Sequence, residues 1–162
     1  MLNKITLREV SSIDAQILFE WENNPENWEV SDTKQSYSLQ EIEDFVNQSQ
    51  SLKDNKQQRF MVCFDDKPVG CIDLFEYDEA MSKSGVGVLI AQKTDRNKGF
   101  ASKALNLLID KCRNELNVVH LFCNIYKENK ASIRLFEKCG FQFVDVRKLD
   151  GKPVNYYELK ND

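Results

Sequence analysis

The stretch GVGVLIAQKTDRNKGFASKALNLLIDKC, residues 85–112, decides the fold of this sequence. Its first part, residues 86–91, is a short apolar run with β-branched side chains, which predicts a buried strand. Its last part predicts an amphipathic helix, because apolar side chains recur there at intervals of three and four residues. Residues 96–101 form a turn with two cations and a glycine. The stretch therefore predicts a strand that leads directly into a helix.

The predicted turn has the chemical character of an anion-binding site. The first N–H groups of a helix lack intrahelical partners, and the positive end of the helix dipole lies beside them. Gly99 and the small Ala101 allow a ligand to approach the backbone closely. A G-x-G-x-x-G motif does not fit, because Gly85 and Gly87 begin the strand, and G-K-[ST] is excluded because Lys98 precedes Gly99. Alone, the turn is equally compatible with an ordinary connection that carries solvated cations.

Two motifs together resemble the GNAT-type N-acetyltransferase superfamily. Arg96, Gly99 and Ala101 hold the three defining positions of its acetyl-coenzyme A signature, R/Q-x-x-G-x-G/A. Residues 129–141, NKASIRLFEKCGF, are similar to its later motif, N-x-x-A/S-x-x-L-Y/F-x-K-x-G-F. The motifs stand in the expected order and are separated by a helix and one strand. The resemblance covers most of the chain. Within the superfamily, the chain resembles the spermidine/diamine and ribosomal-protein N-acetyltransferase-like branch most.

The pattern of the whole chain predicts one domain, residues 1–162, with a single core. The predicted elements follow the order β-α-α-β-β-β-α-β-α-β-β, with four helices and about seven strands. This is an α/β (α+β) fold, and the resemblance implies a GNAT-like mixed, mostly antiparallel sheet. Residues 48–58 are predicted to be a solvated connection between the second helix and the second strand.

Local signals predict where several elements begin or end. Pro25 is expected to end the first helix, because proline cannot continue it. Ser38 and Glu41 form a capping box at the start of the second helix. Residues 65–68 have the turn chemistry of a hairpin, and Gly140 is expected to terminate the last helix.

Charge and hydropathy exclude two classes of partner. The net charge of −4 at pH 7 argues against a general nucleic-acid binder, which would normally carry a basic excess. No apolar run approaches the length of a membrane span, and the first residues lead into a strand pattern without a signal peptide. We therefore expect a cytoplasmic protein that binds neither nucleic acid nor membrane.

The five cysteines are predicted to be reduced core residues. Their number is odd, no C-x-x-C spacing occurs, and they lie within apolar patterns. His120 is the single imidazole, and on the predicted strand it faces away from Cys123. We therefore expect neither a metal site nor a Cys–His nucleophilic pair.

The resemblance implies acetyl-coenzyme A as the cofactor, and direct transfer of its acetyl group to a primary amine within a ternary complex. The backbone of residues 97–101 would donate to the diphosphate, and Arg96 and Lys98 would add charge. Cations are unfavourable at a helix N-terminus, so the presence of Arg96 and Lys98 there is explained better by a bound anion than by solvation alone. The expected diphosphate-binding residues are Arg96, Asn97, Lys98, Gly99, Phe100 and Ala101.

The pantetheine arm and the thioester carbonyl need fixed hydrogen-bond partners. The resemblance implies main-chain groups of a strand that splays from its neighbour, here Val88, Leu89 and Ile90, in a register that could shift by one residue. A backbone N–H there would stabilise the developing oxyanion. The resemblance also implies that the Asn129 side chain binds the pantetheine arm, although an asparagine there also serves as a helix N-cap. Phe136 is expected to pack against the cofactor.

Proton transfer is where the sequence departs from the family. The position often held by a tyrosine, proposed there as the general acid, is Phe136, which cannot donate a proton. Ser132, Tyr126 or a water molecule are the substitutes, and Ser132 could equally be a small residue that faces the cofactor. Asp73 is a candidate for catalysis and for acceptor binding, because it follows Val69 and Cys71 on one predicted strand face.

An amine acceptor is cationic at neutral pH, so carboxylates are expected around it. Acids in the early part of the chain and a tryptophan resemble the acceptor loop of the spermidine/diamine branch, although most such acids are solvated surface groups. The candidate acceptor-binding residues are Glu20, Glu22, Trp28, Glu29 and Asp73.

The sequence therefore predicts an acetyl-CoA-dependent N-acetyltransferase that acts on the primary amine of a small molecule, with a polyamine-like molecule as the leading candidate. One alternative is a protein N-terminal or lysine acetyltransferase. A different class, an acyl-coenzyme A-binding module without transfer activity, stays open because of Phe136. A small-molecule amine is the expected partner. The sequence is also compatible with a homo-oligomer.

Overall fold

The computed structural model describes residues 4–28, 36–48 and 51–160. Seven strands in these ranges form one sheet: β1 Ile5–Glu9, β2 Gln58–Phe64, β3 Lys67–Asp78, β4 Lys83–Ile90, β5 His120–Tyr126, β6 Gln142–Leu149 and β7 Lys152–Lys160. Their order across the sheet is β1-β2-β3-β4-β5-β7-β6. Every neighbouring pair is antiparallel except β4 and β5, which are parallel.

Six α-helices lie in the same ranges, and their ends follow local sequence signals. Ser38 and Glu41 form the predicted capping box, and Pro25 begins a second short helix directly after the first one ends. Asn129 caps the last helix through its side chain. The helices are α1 Ala15–Glu22, α2 Pro25–Trp28, α3 Leu39–Asn47, α4 Leu52–Asn55, α5 Phe100–Lys111 and α6 Lys130–Lys138.

Each face of the sheet carries its own hydrophobic core. On one face, which we call the α5 face, α5 and α6 pack against side chains such as Ile72, Val86 and Leu121. On the opposite face, the α1 face, α1 and α3 pack against the β1–β2 side of the sheet, where Leu18 and Met61 are buried. The half of the α1 face formed by β5, β7 and β6 lies outside this second core, which leaves room there for a ligand.

The predicted fold is confirmed. The four predicted helices correspond to α1, α3, α5 and α6, and the sheet is mixed and mostly antiparallel as expected. The structure adds two helices of a single turn each, α2 and α4. The prediction of a solvated connection at residues 48–58 is confirmed for the exposed residues 53–57 and wrong for two others, because Leu52 packs into the core and Gln58 is buried at the start of β2.

The described residues form neither a membrane-spanning helix nor a cluster of metal ligands. None of the helices in the described ranges is both long and apolar enough to span a membrane. Among the same residues, no group of three or more histidine, cysteine, aspartate or glutamate side chains is arranged to hold a metal ion.

Candidate active site

The sheet opens between its two parallel strands. Residues 83–85 of β4 pair with residues 120–122 of β5, and in the described part of the chain no pairing joins these strands further on. Both strands continue, so residues 86–90 and 123–126 border an opening, which we call the β4–β5 gap. Backbone N–H and C=O groups that face such an opening are available to a ligand. The splayed strand that the resemblance implies is therefore confirmed.

The pairing of β4 with β3 decides which backbone groups face the β4–β5 gap. The N–H of Ala91 donates to the carbonyl of Val69, so its backbone is directed toward β3. Successive residues of an antiparallel ladder alternate in this direction, so Leu89 also faces β3. Val88 and Ile90 then direct their N–H and C=O groups into the gap. The main chains of Val88 and Ile90 therefore face the gap and that of Leu89 does not, while the predicted contact with the cofactor stays a prediction.

The N-terminus of α5 presents unpaired N–H groups at an open surface. Gly99 adopts a left-handed conformation at φ 81°, and no heavy atom lies within 4 Å of the position that a Cβ would take. The first bond of the helix runs from the N–H of Lys103 to the carbonyl of Gly99, which leaves residues 100–102 without intrahelical acceptors. Among the described residues, no side chain caps this end and no acid lies in its first turn. Asn97 and Lys98 are exposed beside it.

The two cations of the turn have different surroundings. Arg96 donates through Nε to the carbonyl of Ile90 at 2.9 Å and through Nη2 to Oδ1 of the buried Asn27 at 2.9 Å. The guanidinium thus connects α2 to the end of β4. These two acceptors account for the position of the Arg96 side chain without a bound anion. The reasoning that both cations need an anion is therefore wrong for Arg96. Nζ of Lys98 lies 3.9 Å from Oδ1 of Asp95 and is half exposed, so Lys98 remains able to reach a ligand.

The start of α6 lies at the far end of β5. Oδ1 of Asn129 accepts from the N–H of Ser132 at 3.2 Å, so the helix-cap role is present, and the amide donor is not needed for it. Ser132 and Tyr126 are both half-buried, and Tyr126 is the last residue of β5, at the border of the gap. Phe136 is buried in the core, where its ring meets Phe141 edge-on at 5.0 Å between centroids. The ring therefore has a packing role within the protein itself.

Asp73 lies on the α1 face, where it belongs to an ion-pair cluster. Arg59 donates to its two carboxylate oxygens at 2.7 and 2.8 Å, and donates through Nη1 to Glu22 at 3.1 Å. The interpretation of Asp73 as a lone acid is therefore wrong. A β-bulge opposite residues 62–63 also separates it from Val69, which packs in the core of the α5 face.

The Arg59 guanidinium of this cluster stays charged despite its burial. The side chain of Arg59 is only 15% exposed, and its guanidinium lies over the ring of Phe45 at 5.2 Å from the centroid. Burial alone would lower the pKa of Arg59, but the charges of Asp73 and Glu22 outweigh it and raise the pKa well above its usual value. In this cluster, two carboxylates accept hydrogen bonds from one guanidinium.

The remaining acceptor candidates are distributed unevenly. Trp28 donates from Nε1 to the backbone carbonyl of Glu22 at 2.8 Å, which connects it to the ion-pair cluster. Glu20 is exposed and accepts from Gln16 at 3.3 Å, so it is not part of the cluster. Glu29 lies outside the described residues. The structure therefore brings Glu22, Trp28 and Asp73 together.

Sequence reasoning missed a part of the site that two glycines of β4 create on the α1 face. Phe75 lies across Gly85 so closely that a Cβ at Gly85 would overlap its ring, whereas a Cβ at Gly87 would have its nearest neighbour at 3.9 Å. Gly87, opposite Asp73, therefore leaves open space beside the gap. The signal was the alternation Gly-x-Gly inside a strand. A cavity of about 290 Å³ adjoins this region, and it is lined by Glu76, Lys83, Phe122, Asn124, Arg147, Lys148, Leu149 and Tyr156.

The gap, the open N-terminus of α5 and the α6 cap together offer hydrogen-bond donors of the kind that a long anionic ligand needs. Residues 4–142 match the family of the acetyltransferase (GNAT) domain. The chain belongs to this family and is an acetyltransferase that uses acetyl-coenzyme A as its acetyl donor.

Particular relatives are similar along most of the chain. A spermidine N(1)-acetyltransferase of Vibrio cholerae is 26% identical over 142 residues, which cover 87% of this chain and 80% of the relative. The crystal structure of spermidine N-acetyltransferase from Vibrio cholerae in complex with CoA and spermine superposes with a TM-score of 0.86 at 22% identity, over 99% of this chain and 97% of that one. The crystal structure of an aminoglycoside acetyltransferase, AAC(6′)-Ib, in complex with coenzyme A and kanamycin superposes with a TM-score of 0.81 at 19% identity, over 97% of this chain and 95% of that one. These structures share the fold.

Proposed function

We propose that the protein transfers the acetyl group of acetyl-CoA directly to the primary amine of a small, polyamine-like molecule. The observation that carries this proposal is the β4–β5 gap, whose α1 side is left open by Gly87. The cofactor would reach the gap from the α5 side and the amine from the α1 side. The two substrates would meet there in a ternary complex, without a covalent enzyme intermediate.

The cofactor would be held mainly by backbone donors. The unpaired N–H groups of residues 100–102 and the positive end of the α5 dipole favour a diphosphate, and Lys98 adds a mobile cation. The pantetheine arm would then follow β4, where Val88 and Ile90 face the gap. Asn129 would add its amide donor, since its cap uses only Oδ1.

The chemical step needs a stabilised oxyanion and two proton movements. The amine nitrogen attacks the thioester carbonyl carbon, the C–N bond forms, and the C–S bond breaks. The N–H of Val88 is the donor that we assign to the developing oxyanion, because it faces the gap and has no strand partner there. The thiolate takes up a proton from Tyr126 or Ser132, or from water, and the amine loses its proton to solvent on the α1 face.

Asp73 is better suited to bind the acceptor than to act as the base. Arg59 already donates to both of its carboxylate oxygens, so a further proton would displace an existing hydrogen bond. Asp73 lies opposite Gly87, so its carboxylate stands beside the open space at the gap and would attract an ammonium group. The similarity to a spermidine N(1)-acetyltransferase supports a cationic acceptor of this kind.

Two further expectations stand as proposals. A cytoplasmic location is supported by five cysteines that are all free thiols, four of them buried. Burial raises the pKa of Cys71 and of Cys112 to about 12, so neither supplies a reactive thiolate at neutral pH. A homo-oligomer is the second expectation.

A thiol-release screen tests the proposed function. The purified protein would be given acetyl-CoA with polyamines, amino sugars, amino acids or peptides, and the release of free coenzyme A would be recorded. We expect release to be fastest with a polyamine. Fastest release with a peptide would favour a protein acetyltransferase instead. Thermal stabilisation by acetyl-CoA without release for any amine would indicate a binding module, which the phenyl ring at Phe136 keeps as a candidate.

A further inference from the structure

The strand β6 at the edge of the sheet is unusually exposed. Seven of its eight residues are exposed, although apolar side chains contribute to both of its faces. Phe143, Val144 and Val146 keep 51%, 46% and 51% of their surface in solvent. At the opposite edge of the sheet, four of the five residues of β1 are buried or half-buried. An edge with exposed apolar side chains is a template for pairing with another strand.

The hairpin between β6 and β7 determines which groups of β6 face outward. Leu149 and Lys152 close a two-residue turn whose central residues, Asp150 and Gly151, have φ of 51° and 80°. The closing pair of such a turn is hydrogen-bonded, and the pairs then alternate along the ladder. The N–H and C=O of Val146 therefore point away from β7, and those of Lys148 do the same.

The sequence of β6 is complementary to itself about Val146. If a second β6 ran antiparallel with Val146 opposite its own copy, Asp145 of each strand would lie opposite Arg147 of the other. Asp145 and Arg147 would form a non-hydrogen-bonded pair of the new antiparallel ladder, and in such pairs the opposing side chains are closest. Nε of Arg147 already donates to Oδ1 of Asp145 at 2.9 Å in the same strand, so the two pairs would join into one alternating network.

We propose that two copies of this chain associate through β6, antiparallel and centred on Val146, and form one continuous sheet. The outward N–H and C=O groups of Val146 would pair with those of its own copy across the two-fold axis, Lys148 would lie opposite Val144 of the second copy, and the half-exposed valines would lose contact with water. The partner strand would also lie at the rim of the 290 Å³ cavity, because Arg147, Lys148 and Leu149 line that cavity. This interface does not depend on which amine the enzyme acetylates.

The first test measures mass in solution by light scattering after size exclusion, over a series of protein concentrations. We expect twice the chain mass of 18.9 kDa at the upper end of the series. Val146→Pro removes one outward N–H from each copy and leaves the β6–β7 ladder complete, so it should raise the dissociation constant about tenfold or more. Val146→Thr keeps the N–H and the branched shape and should remain a dimer. A monomer at every concentration, or a dimer that Val146→Pro leaves unchanged, would overturn the proposal.

A charge-exchange experiment tests the alignment of the strands. A dimer contains positions 145 and 147 of both chains. Asp145→Arg makes all four of these side chains cationic, and Arg147→Asp makes all four anionic, so each variant alone should be monomeric. Mixed in equal amounts, the two variants place cations opposite anions at both pairs and should form a heterodimer. Circular dichroism would establish that each variant is folded. Homodimers of either variant, or no complex in the mixture of the folded variants, would contradict the alignment.

Discussion

Gly99 is the residue on which the binding of the cofactor depends most. Its φ of 81° disfavours any side chain, and the space before it is open to a ligand. We predict that Gly99→Glu weakens acetyl-CoA binding by about tenfold or more, because a carboxylate next to a diphosphate costs at least about 1.4 kcal/mol. Isothermal titration calorimetry would measure the affinity.

Gly151 offers a matched control for this substitution. It has nearly the same φ of 80°, it is equally open, and it lies in the β6–β7 turn instead of the α5 turn. Gly151→Glu should carry the same backbone strain and leave acetyl-CoA affinity unchanged. Equal affinities for the two variants would show that the α5 turn does not hold the diphosphate.

Asn129 combines two roles that substitution can separate. Asn129→Asp keeps the oxygen that caps α6 and removes the amide donor, whereas Asn129→Ala removes both. We predict a loss of about 1 kcal/mol in the free energy of unfolding for alanine and little change for aspartate. Both variants should raise the KM for acetyl-CoA. A normal KM for the aspartate variant would limit Asn129 to capping.

At the level of elements, the proposed chemistry depends on the β4–β5 gap, and Gly87 keeps its α1 side open. A methyl group at Gly87 would meet only Phe75, at 3.9 Å, so larger side chains can fold there and fill the gap. We predict that turnover falls steadily through Gly87→Ala and Gly87→Leu, while acetyl-CoA affinity and the melting temperature are kept. Steady-state kinetics with calorimetry would separate these effects. Loss of cofactor affinity instead of turnover would mean that the α1 side is not the entrance of the acceptor.

The elements also show what can be predicted from the sequence. Signals within a few residues were sufficient for the ends of helices: the capping box at Ser38, the asparagine cap at Asn129 and the glycine at Gly140 that follows the last helix all occur as expected. These features depend only on neighbours along the chain, so a motif contains the necessary information. The ends of the helices that border the proposed cofactor site could therefore be predicted from local motifs.

Contacts between distant parts of the chain could not be predicted in the same way. The hydrogen bond from Arg96 to Asn27 joins residues 69 positions apart, and it gives a residue of the cofactor motif a structural role. Asp73 is paired with Arg59 because β2 and β3 align in one particular register. A single sequence contains no direct sign of either pairing, and the bulge in β3 shifts the faces that simple alternation assigns.

For the whole molecule, the dependence of stability on pH follows from the buried pair of Asp14 and Arg8. The Asp14 side chain is 3% exposed, and both of its oxygens accept from Arg8 at 2.8 Å. Burial alone would raise the pKa of Asp14, but hydrogen bonds from Arg8 and from the N–H of Ser11, together with the Arg8 charge, hold it below the usual value. The stabilising contribution is therefore complete above the unfolded-state pKa and is lost as the pH falls through the folded-state pKa.

We predict that Asp14→Asn lowers the free energy of unfolding at neutral pH by about 3 kcal/mol, because it leaves a partly buried guanidinium without its charge partner. The difference from the unsubstituted protein should shrink as the pH falls below about 4. Urea denaturation over a pH series would measure it. Asp110→Asn, at a carboxylate that is 65% exposed, serves as the control and should change stability by less than about 0.5 kcal/mol. A pH-independent difference for Asp14→Asn would contradict the assignment.

The most direct test of the whole account is a crystal structure with coenzyme A bound. We predict that the diphosphate accepts hydrogen bonds from the N–H groups of residues 100–102, and that the thiol lies in the β4–β5 gap beside Val88. A diphosphate bound at any other part of the surface, or a thiol outside the gap, would contradict the proposal that the acetyl group is transferred where β4 and β5 separate.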